Sequence, residues 1–259
     1  MTIHHADLIT YYSSALLEND RVKHGFFMRH GGCSPKPWES LNLATSVGDT
    51  RANVIENRRR LCNGIHIPPE SIYDVWQVHS REVVYASQPR QLDEPHLQAD
   101  AIMTDQSEVS ILMLFADCVP ILLYDPVRHV IACAHAGWQG TIKKVAQETV
   151  KAMQNRFACK PQDLIALIGP CICADHFAVG EEIFAAARGL FHQETKVYYQ
   201  HESQFHLNLP LANRILLEQA GVGEIESVAI CTQEHNQDWF SHRAEKGKTG
   251  RFGAIISLR

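Results

Sequence analysis

The sequence predicts a mixed α+β fold, with mixed β-sheets flanked by helices in a single catalytic domain that spans residues 1–259. Short apolar runs rich in β-branched residues recur between polar turns, as in strands, and a few longer segments have helical periodicity. The two kinds of segment alternate irregularly, which argues against a barrel or a doubly wound nucleotide fold. No repeat or linker divides the chain, and 45% hydrophobic residues suffice for one core.

The predicted strands share an apolar, β-branched composition and end at polar turns. They are Tyr73–Val78, Val83–Ala86, Ile111–Phe115, Ile121–Tyr124, Val130–Ala134, Leu164–Ile168, Val228–Cys231 and Ala254–Leu258. The polar segment 88–96 is expected to be a loop between two of these strands.

Four helices are predicted, and their apolar residues fall on one face at helical spacing. They are Asn53–Cys62, the segment from Thr141 to Met153, Val179–Leu190, and Leu209–Ala220. Gly221 follows the last of these and is a suitable residue to end it.

Charge and composition exclude several classes of function. A net charge of −5 argues against general affinity for nucleic acid or for anionic membranes. No apolar run is long enough to span a bilayer, and residues 1–7 lack the pattern of a signal peptide. The eight cysteines lie in a long chain, several of them within apolar runs, so we expect reduced thiols and a cytoplasmic protein.

Three metal-type ligands stand near the ends of predicted strands. They are His79, Cys118 and His135. Taken singly, each has an ordinary explanation as a hydrogen-bonded histidine or a buried cysteine. Together they form a set of two imidazoles and one thiolate, which holds zinc while leaving a fourth position open, as in catalytic sites. Gly137, close behind His135, would allow a close approach of backbone or ligand.

The segments around these residues carry a family resemblance that extends over nearly the whole chain. The matching motifs are Ala116–Pro120, Ala134–Trp138, His24–Phe26, Arg29–Gly32, Ser40–Ala44, Val47–Asp49, Asn57-Arg58, Gln77–His79, Ala99–Ala101, Ile168–Ile172, Cys231-Thr232, Phe240–Arg243 and Thr249–Arg251. In these motifs the chain resembles a bacterial family described as polyphenol oxidases (laccase-like) and as zinc-dependent purine nucleoside phosphorylases.

The resemblance implies a function and a ligand set. His79, Cys118 and His135 correspond to the family's catalytic zinc ligands, with one Zn²⁺ per chain. The implied reactions are phosphorolysis of adenosine, inosine and methylthioadenosine to a base and ribose 1-phosphate, and deamination of adenosine. The implied fold is similar to a cysteine-deamidase toxin domain, and the implied partners are purine nucleosides and phosphate, with a monomer or homodimer as the assembly.

Three positions depart from the family pattern. Phe27 stands where threonine is usual, Ser46 where histidine is common, and Gln233-Glu234 where another cysteine usually occurs. None of them removes a proposed ligand, so they bear on substrate range and on any second metal.

Two carboxylates are candidates for catalytic work. Deamination needs a carboxylate that moves a proton to the leaving ammonia. Asp100 and Asp117 are the candidates, each with a structural alternative. Asp100 suits the support of a metal-bound histidine. A strand through Asp117 and Cys118 would point their side chains to opposite faces, which favours a loop-orienting role for Asp117.

Arginines are the expected phosphate ligands, because a guanidinium donates two parallel hydrogen bonds. Arg58, Arg243 and Arg251 are the candidates, and Asn42 is the candidate for a ribose hydroxyl. The alternative for the run 58–60 is a solvated helix face, expected for at least two of its three arginines.

Three other functions use overlapping residues. Cysteine with two histidines also suits copper, as in a phenol oxidase, although no His-x-His pair occurs and the 15 histidines are scattered. A metal-free hydrolase would use Cys118 as nucleophile and His135 as base, leaving His79 without a role. A binding module with structural zinc would need a fourth ligand.

Overall fold

The computed structural model describes residues 1–17, 21–192 and 194–259. Its strands are β1 (Thr2–Ala6), β2 (Ile9–Ser13), β3 (Val22–Phe27), β4 (Ile72–Tyr73), β5 (Val83–Tyr85), β6 (Ala101–Thr104), β7 (Ser110–Phe115), β8 (Val119–Asp125), β9 (Val130–Ala136), β10 (Ile165–Ile168), β11 (Ala178–Val179), β12 (Tyr198–His201), β13 (Gln204–Leu207), β14 (Glu224–Ser227) and β15 (Phe252–Leu258). Its α-helices are α1 (Arg51–Gly64), α2 (Trp138–Ile142), α3 (Val145–Phe157), α4 (Glu181–Leu190) and α5 (Leu209–Gln219).

Two six-stranded mixed sheets form the centre of the molecule. The first has the order β1-β2-β3-β15-β7-β4 and the second β14-β10-β8-β9-β6-β5, with parallel pairs only at β4–β7, β10–β14 and β5–β6 among the described strands. A small sheet, β11-β13-β12, stands apart from both. The predicted mixed α+β architecture is confirmed.

Alternating side chains produce a four-layer packing. On β7, Ile111 and Met113 face the second sheet, while Leu112 faces the layer that contains α1. On β8, Leu122 faces the first sheet and Ile121 faces α3 and α5. Strands β8 and β9 are therefore buried on both faces, which explains their uninterrupted apolar sequences.

Most predicted helices are confirmed with small shifts of their ends. Thr50 caps α1 by accepting a hydrogen bond from the Asn53 amide, and Asn208 caps α5 in the same way. The segment from Thr141 to Met153 is not one helix. It contains the end of α2 and most of α3. The two helices are separated at Lys144, whose backbone is left-handed with φ +64°.

Two strand predictions are wrong. In Tyr73–Val78, only Tyr73 continues a strand, because the Gln77 side chain makes both hydrogen bonds to the Leu114 backbone that a neighbouring strand would make.

The segment Val228–Cys231 lies just beyond β14 and has only an isolated bridge to Cys171. Its would-be partner contains Pro170, which has no amide hydrogen to donate.

Most strands missed by the sequence prediction are short or polar, and the longer β3 is interrupted in sequence by Lys23, His24 and Gly25. Strands β1 and β12 each contain exposed residues, so no apolar run marks them. The loop 88–96 does lie between two strands, β5 and β6, as predicted. Across the described ranges, none of the helices is both long and apolar enough to cross a bilayer.

Candidate metal centre and its cavity

Three loops and strand ends bring the predicted ligands together. His79 lies in the loop between β4 and β5, Cys118 in the turn that connects β7 of the first sheet to β8 of the second, and His135 near the end of β9. One ligand atom from each lies within 4.8 Å of the other two. We call these three residues the first donor group. Their convergence agrees with the ligand set expected from the sequence.

Gly137 leaves the space in which the first donor group meets. A Cβ atom at this position would lie 2.7 Å from His79 Nδ1 and 2.9 Å from Cys118 Sγ, closer than real contacts allow. Gly137 also begins α2 as its N-cap residue. The absent side chain is therefore a requirement of the donor geometry, as the sequence suggested for this glycine.

Asp100 holds two of the three ligands in place. It is fully buried, and its Oδ1 accepts hydrogen bonds from His135 Nδ1 at 2.8 Å and from the His79 amide at 3.0 Å. Its Oδ2 accepts from the Val78 amide and from both the amide and the hydroxyl of Ser80. This carboxylate therefore fixes the His135 ring and the backbone that carries His79.

The charges of this group are coupled. Burial opposes ionisation of Asp100, but the hydrogen bond and charge of His135 outweigh it and lower the pKa of the carboxyl to about 2. Burial likewise opposes a charged His135, but the Cys118 thiolate and Asp100 raise its pKa to about 9. Metal binding requires a neutral imidazole, so the ion competes with a proton on His135.

The residues present fit a thiophilic metal ion. Because His135 Nδ1 is bound to the Asp100 carboxylate, its Nε2 is the nitrogen left for a ligand, the arrangement common for metal-binding histidines. Two imidazoles and a thiolate are donors that zinc accepts with a position left open. His79 and Cys118 are partly exposed toward the cavity, so that position is accessible.

Asp117 holds the turn beside Cys118. Its backbone has φ +83°, and its carboxylate accepts hydrogen bonds from Thr232 Oγ1 at 2.6 Å and from the Arg243 amide at 2.7 Å. Asp117 is in a turn rather than on a strand, so the predicted opposite orientation along a strand does not apply. Both oxygens nevertheless have loop partners, which agrees with the orienting role considered from the sequence.

The first donor group lies in the wall of a cavity of about 890 Å³. Its basic lining comes from several loops and helices. It consists of Arg51, Arg58, Arg90, His96, His242, Arg243 and Arg251. The aromatic lining is Trp76, Trp138 and Phe177. The size suits a small organic molecule, and the five arginines of the lining outnumber its four aspartates, which favours an anion.

Arg251 has the least committed guanidinium of the predicted arginines. Its guanidinium donates through Nη1 to the carbonyls of Thr249 and Gly250 in its own turn. Burial lowers its pKa, while the charges of Cys118 and Asp117 nearby favour its cationic form. The guanidinium of Arg251 therefore lies close enough to the first donor group to interact with its charges, in the wall of the same cavity.

The other two predicted arginines are more heavily engaged. Arg58 donates to the Leu43 carbonyl and to Asp74, so its hydrogen-bond donors are used within the protein. Arg243 donates to the carbonyls of His176 and Ala178, and thereby joins the cavity wall to β11.

Two arginines of the run 58–60 lie on the outer face of their helix, as the alternative interpretation of this run expected. Arg59 and Arg60 both pair with Glu56 on α1. Arg58 instead faces the cavity.

Asn42 does not face the cavity, and the expected ribose contact does not fit its geometry. It is fully buried, and its amide nitrogen donates to Ala44 and Asp49. Its amide oxygen accepts from the amides of Ala44 and Arg251. All four hydrogen-bonding positions are thus used within the protein. The geometry assigns Asn42 to the support of the Arg251 turn.

Several cavity residues carry no signal in the sequence. Trp76 is 53% exposed on the cavity wall, which periodicity cannot show. Arg90 and His96 come from the loop that the sequence marks only as a connection. With Arg58 they surround the buried carboxylate of Asp74. Burial raises the pKa of this carboxyl, but the hydrogen bond from His96 and the charges of Arg58 and Arg90 hold it well below its ordinary range.

A family model and several named proteins match nearly the whole chain. The family model described as multi-copper polyphenol oxidoreductase laccase matches residues 23–259. The chain is 38% identical over 240 residues to a protein of Deinococcus radiodurans named purine nucleoside phosphorylase, covering 93% of this chain and 90% of that one. It is 32% identical over 250 residues to purine nucleoside phosphorylase YlmD of Bacillus subtilis, with the same two coverages.

Two solved structures are closely similar to the whole chain. YlmD from Geobacillus stearothermophilus has a TM-score of 0.92 and 31% identity, covering 99% of this chain and 98% of that one. The hypothetical protein YfiH from Bacillus licheniformis has a TM-score of 0.92 and 30% identity, with 99% of each chain covered.

Gly137→Ala tests whether the first donor group binds metal. The new Cβ displaces His79 and Cys118, so metal affinity should fall by about 10-fold or more while the protein stays folded. A titration against a competing chelator measures this change. Gly189→Ala is the matched control, because nothing lies within 4 Å of a Cβ there. Unchanged affinity in Gly137→Ala would contradict this geometry.

Asp100→Asn tests the buried carboxylate. A pKa lowered from 3.8 to about 2 means that ionised Asp100 stabilises the fold above about pH 4 and that this contribution is lost as pH falls toward 2. The metal-free wild type should therefore lose about 2 kcal/mol of unfolding free energy over this interval that Asp100→Asn does not lose. Urea unfolding from pH 5 to pH 2 measures it, with the exposed Asp93→Asn as control. Parallel pH profiles for Asp100→Asn and the wild type would count against the coupling.

Proposed function

This chain belongs to the multi-copper polyphenol oxidoreductase laccase family, and from that membership we propose that it is a metal-dependent purine nucleoside phosphorylase. In the proposed reaction, phosphate forms a bond to the sugar carbon as the bond to the purine breaks, and the purine leaves as the free base after gaining a proton. The products are a purine and ribose 1-phosphate. The whole chain, residues 1–259, is proposed to act as one cytoplasmic catalytic domain.

The observation that carries the proposal is the position of Arg251 beside the first donor group in one cavity. A guanidinium with free donors is the preferred protein ligand for phosphate. Arg243 adds a second positive charge on the same wall. These two arginines would bind and orient phosphate next to the ligand cluster.

An aromatic surface completes the proposed substrate site. Trp76 lines the cavity and is half exposed, so its indole face is available for stacking against a purine. Phe177 lies under the Arg243 guanidinium, 5.3 Å from its ring centroid, and keeps that side chain over the cavity wall. The base and the phosphate would then occupy different parts of one cavity, with the sugar between them.

Zinc is the metal we propose for the first donor group, held by His79, Cys118 and His135. When bound, it supplies a Lewis acid at the reacting centre. Asp100 keeps the His135 ring oriented, and Gly137 keeps the space clear. Copper also accepts this donor set. A multicopper centre requires many clustered histidines, and the first donor group contains two histidines.

We extend the proposal to adenosine, inosine and methylthioadenosine as substrates, with adenosine deamination as a second activity. Deamination requires a carboxylate near the purine. Asp100 has five hydrogen bonds to its carboxylate and is fully buried, whereas Asp117 lines the cavity beside Cys118. Each Asp117 oxygen accepts one hydrogen bond from the loops and keeps a second lone pair, so Asp117 can combine its loop-orienting role with that proton transfer. Asp100 is the positioning residue.

A metal-free hydrolase is the rival that the geometry also accommodates. Asp100, His135 and Cys118 form a chain of contacts like a nucleophile, its base and an orienting carboxylate. His79 argues against this assignment, because a dyad has no use for a second imidazole within 4.8 Å of the sulfur.

Product analysis of adenosine and inosine cleavage tests the proposed function. Free base and ribose 1-phosphate should form in equal amounts, only when phosphate is present, and His79→Ala should abolish the reaction. Release of base without phosphate, inhibited by thiol reagents, would instead support the Cys118 hydrolase. Phenol oxidation that requires copper, with no nucleoside cleavage, would support the oxidase.

Arg251→Ala tests the phosphate site. Hydrogen bonds to a charged group are worth about 1.5–3 kcal/mol, so KM for phosphate should rise about 10- to 100-fold while KM for adenosine changes little. Arg251→Lys keeps the charge and should restore part of the loss. Arg214→Ala, on the exposed face of α5, is the control. An equal loss for both substrates would remove Arg251 from the phosphate site.

A further inference from the structure

A second group of metal-type ligands lies outside the first donor group. Cys173 and His176 come from the loop after β10, and Cys231 and Glu234 come from the loop after β14. One ligand atom from each of the four lies within 4.8 Å of the other three. We call these four residues the second donor group. It brings together two loops that are distant in the sequence, since Cys173 and Cys231 are 58 residues apart.

The contacts within this group converge on one point. Cys173 Sγ lies 3.1 Å from His176 Nδ1, and Cys231 Sγ lies 3.5 Å from the same nitrogen. A ring nitrogen has either one hydrogen to donate or one lone pair to accept with, so it cannot form a good hydrogen bond with both sulfurs at once. Two thiols directed at one imidazole nitrogen are typical of ligands that surround a shared cation.

We propose that the second donor group binds a zinc ion as a structural site. Two cysteines, a histidine and a glutamate provide the four ligands of a closed tetrahedral site. Thiolates select a thiophilic ion over magnesium or calcium. The first donor group has three donors and an accessible side, which suits catalysis. The second donor group has a complete set, which suits a structural role.

The proposed zinc would hold one wall of the cavity. The residue after Cys231 is Thr232, whose hydroxyl donates to Asp117 in the turn beside Cys118. The residue after His176 is Phe177, which lines the cavity. In the described structure the two loops are otherwise joined mainly by backbone bonds, including Cys171 N to the Ile230 carbonyl and Thr232 N to the Cys171 carbonyl. A shared ion would lock both loops together.

Substitution of Glu234 tests the proposal without disturbing the core. It is exposed, so replacing its carboxylate should leave the fold intact. The two cysteines are less accessible, and Cys231 is buried. The two thiols are also close enough that a Cys173–Cys231 disulfide is the alternative outcome.

The experiment uses the full chain with the first donor group disabled by His79→Ala and Cys118→Ser. This background protein should retain one zinc per chain by elemental analysis. Cobalt(II) added to its metal-free form should give the charge-transfer absorption of two thiolates in a tetrahedral site. Adding Cys173→Ser should halve that absorption or remove the metal, and adding Glu234→Gln should weaken cobalt affinity by about 10-fold. Cys33→Ser, an exposed thiol outside both groups, is the control.

Stability provides a readout that does not depend on nucleoside cleavage. Chelation should lower Tm in the His79→Ala, Cys118→Ser background, because metal binding adds to folding free energy. Chelation should lower Tm less once Cys173→Ser is added, and should leave it unchanged if that variant no longer binds metal. A folded background protein that binds no zinc or cobalt would overturn the proposal, as would unchanged binding in both Cys173→Ser and Glu234→Gln. A Cys173–Cys231 disulfide in protein kept under reductant would overturn it as well.

Discussion

The buried carboxylate of Asp100 is the interaction on which the candidate site depends. An ionised group without exposure to water is costly unless every lone pair has a donor. Asp100 meets this condition through five hydrogen bonds to the loop 78–80 and to His135. Its own carbonyl also accepts from the His135 amide. Removing this carboxylate would release two of the three ligands at once.

The sheet packing supplies the third ligand. Strands β7 and β8 belong to different sheets, so the chain must cross between them within residues 116–118, and Cys118 lies in that crossing. Asp117 secures the crossing to the loops that carry Thr232 and Arg243. The first donor group, the turn and one wall of the cavity are therefore parts of one hydrogen-bonded unit, and the second donor group lies at the end of that unit.

The sequence was sufficient for the parts of the site that follow local patterns. His79, Cys118 and His135 stand near strand ends within a recognisable set of motifs, and the structure brings them together. The sequence was insufficient where the role of a side chain depends on whether other protein groups already use its hydrogen-bond donors and acceptors. Asn42 and Arg58 have suitable chemistry, but partners distant in the chain occupy them. The sequence before His79 predicts a strand, but in the structure the Gln77 side chain makes the backbone hydrogen bonds that a paired strand would make. Periodicity cannot reveal such a contact.

Anomalous diffraction at the zinc edge, from crystals of the active zinc-loaded protein, shows directly whether zinc occupies the first donor group. We expect a peak bonded to His79, Cys118 and His135, with sulfur about 2.3 Å and nitrogen about 2.0–2.1 Å from the metal, and with the His135–Asp100 hydrogen bond retained. Active crystals with no peak at these three residues would contradict this expectation.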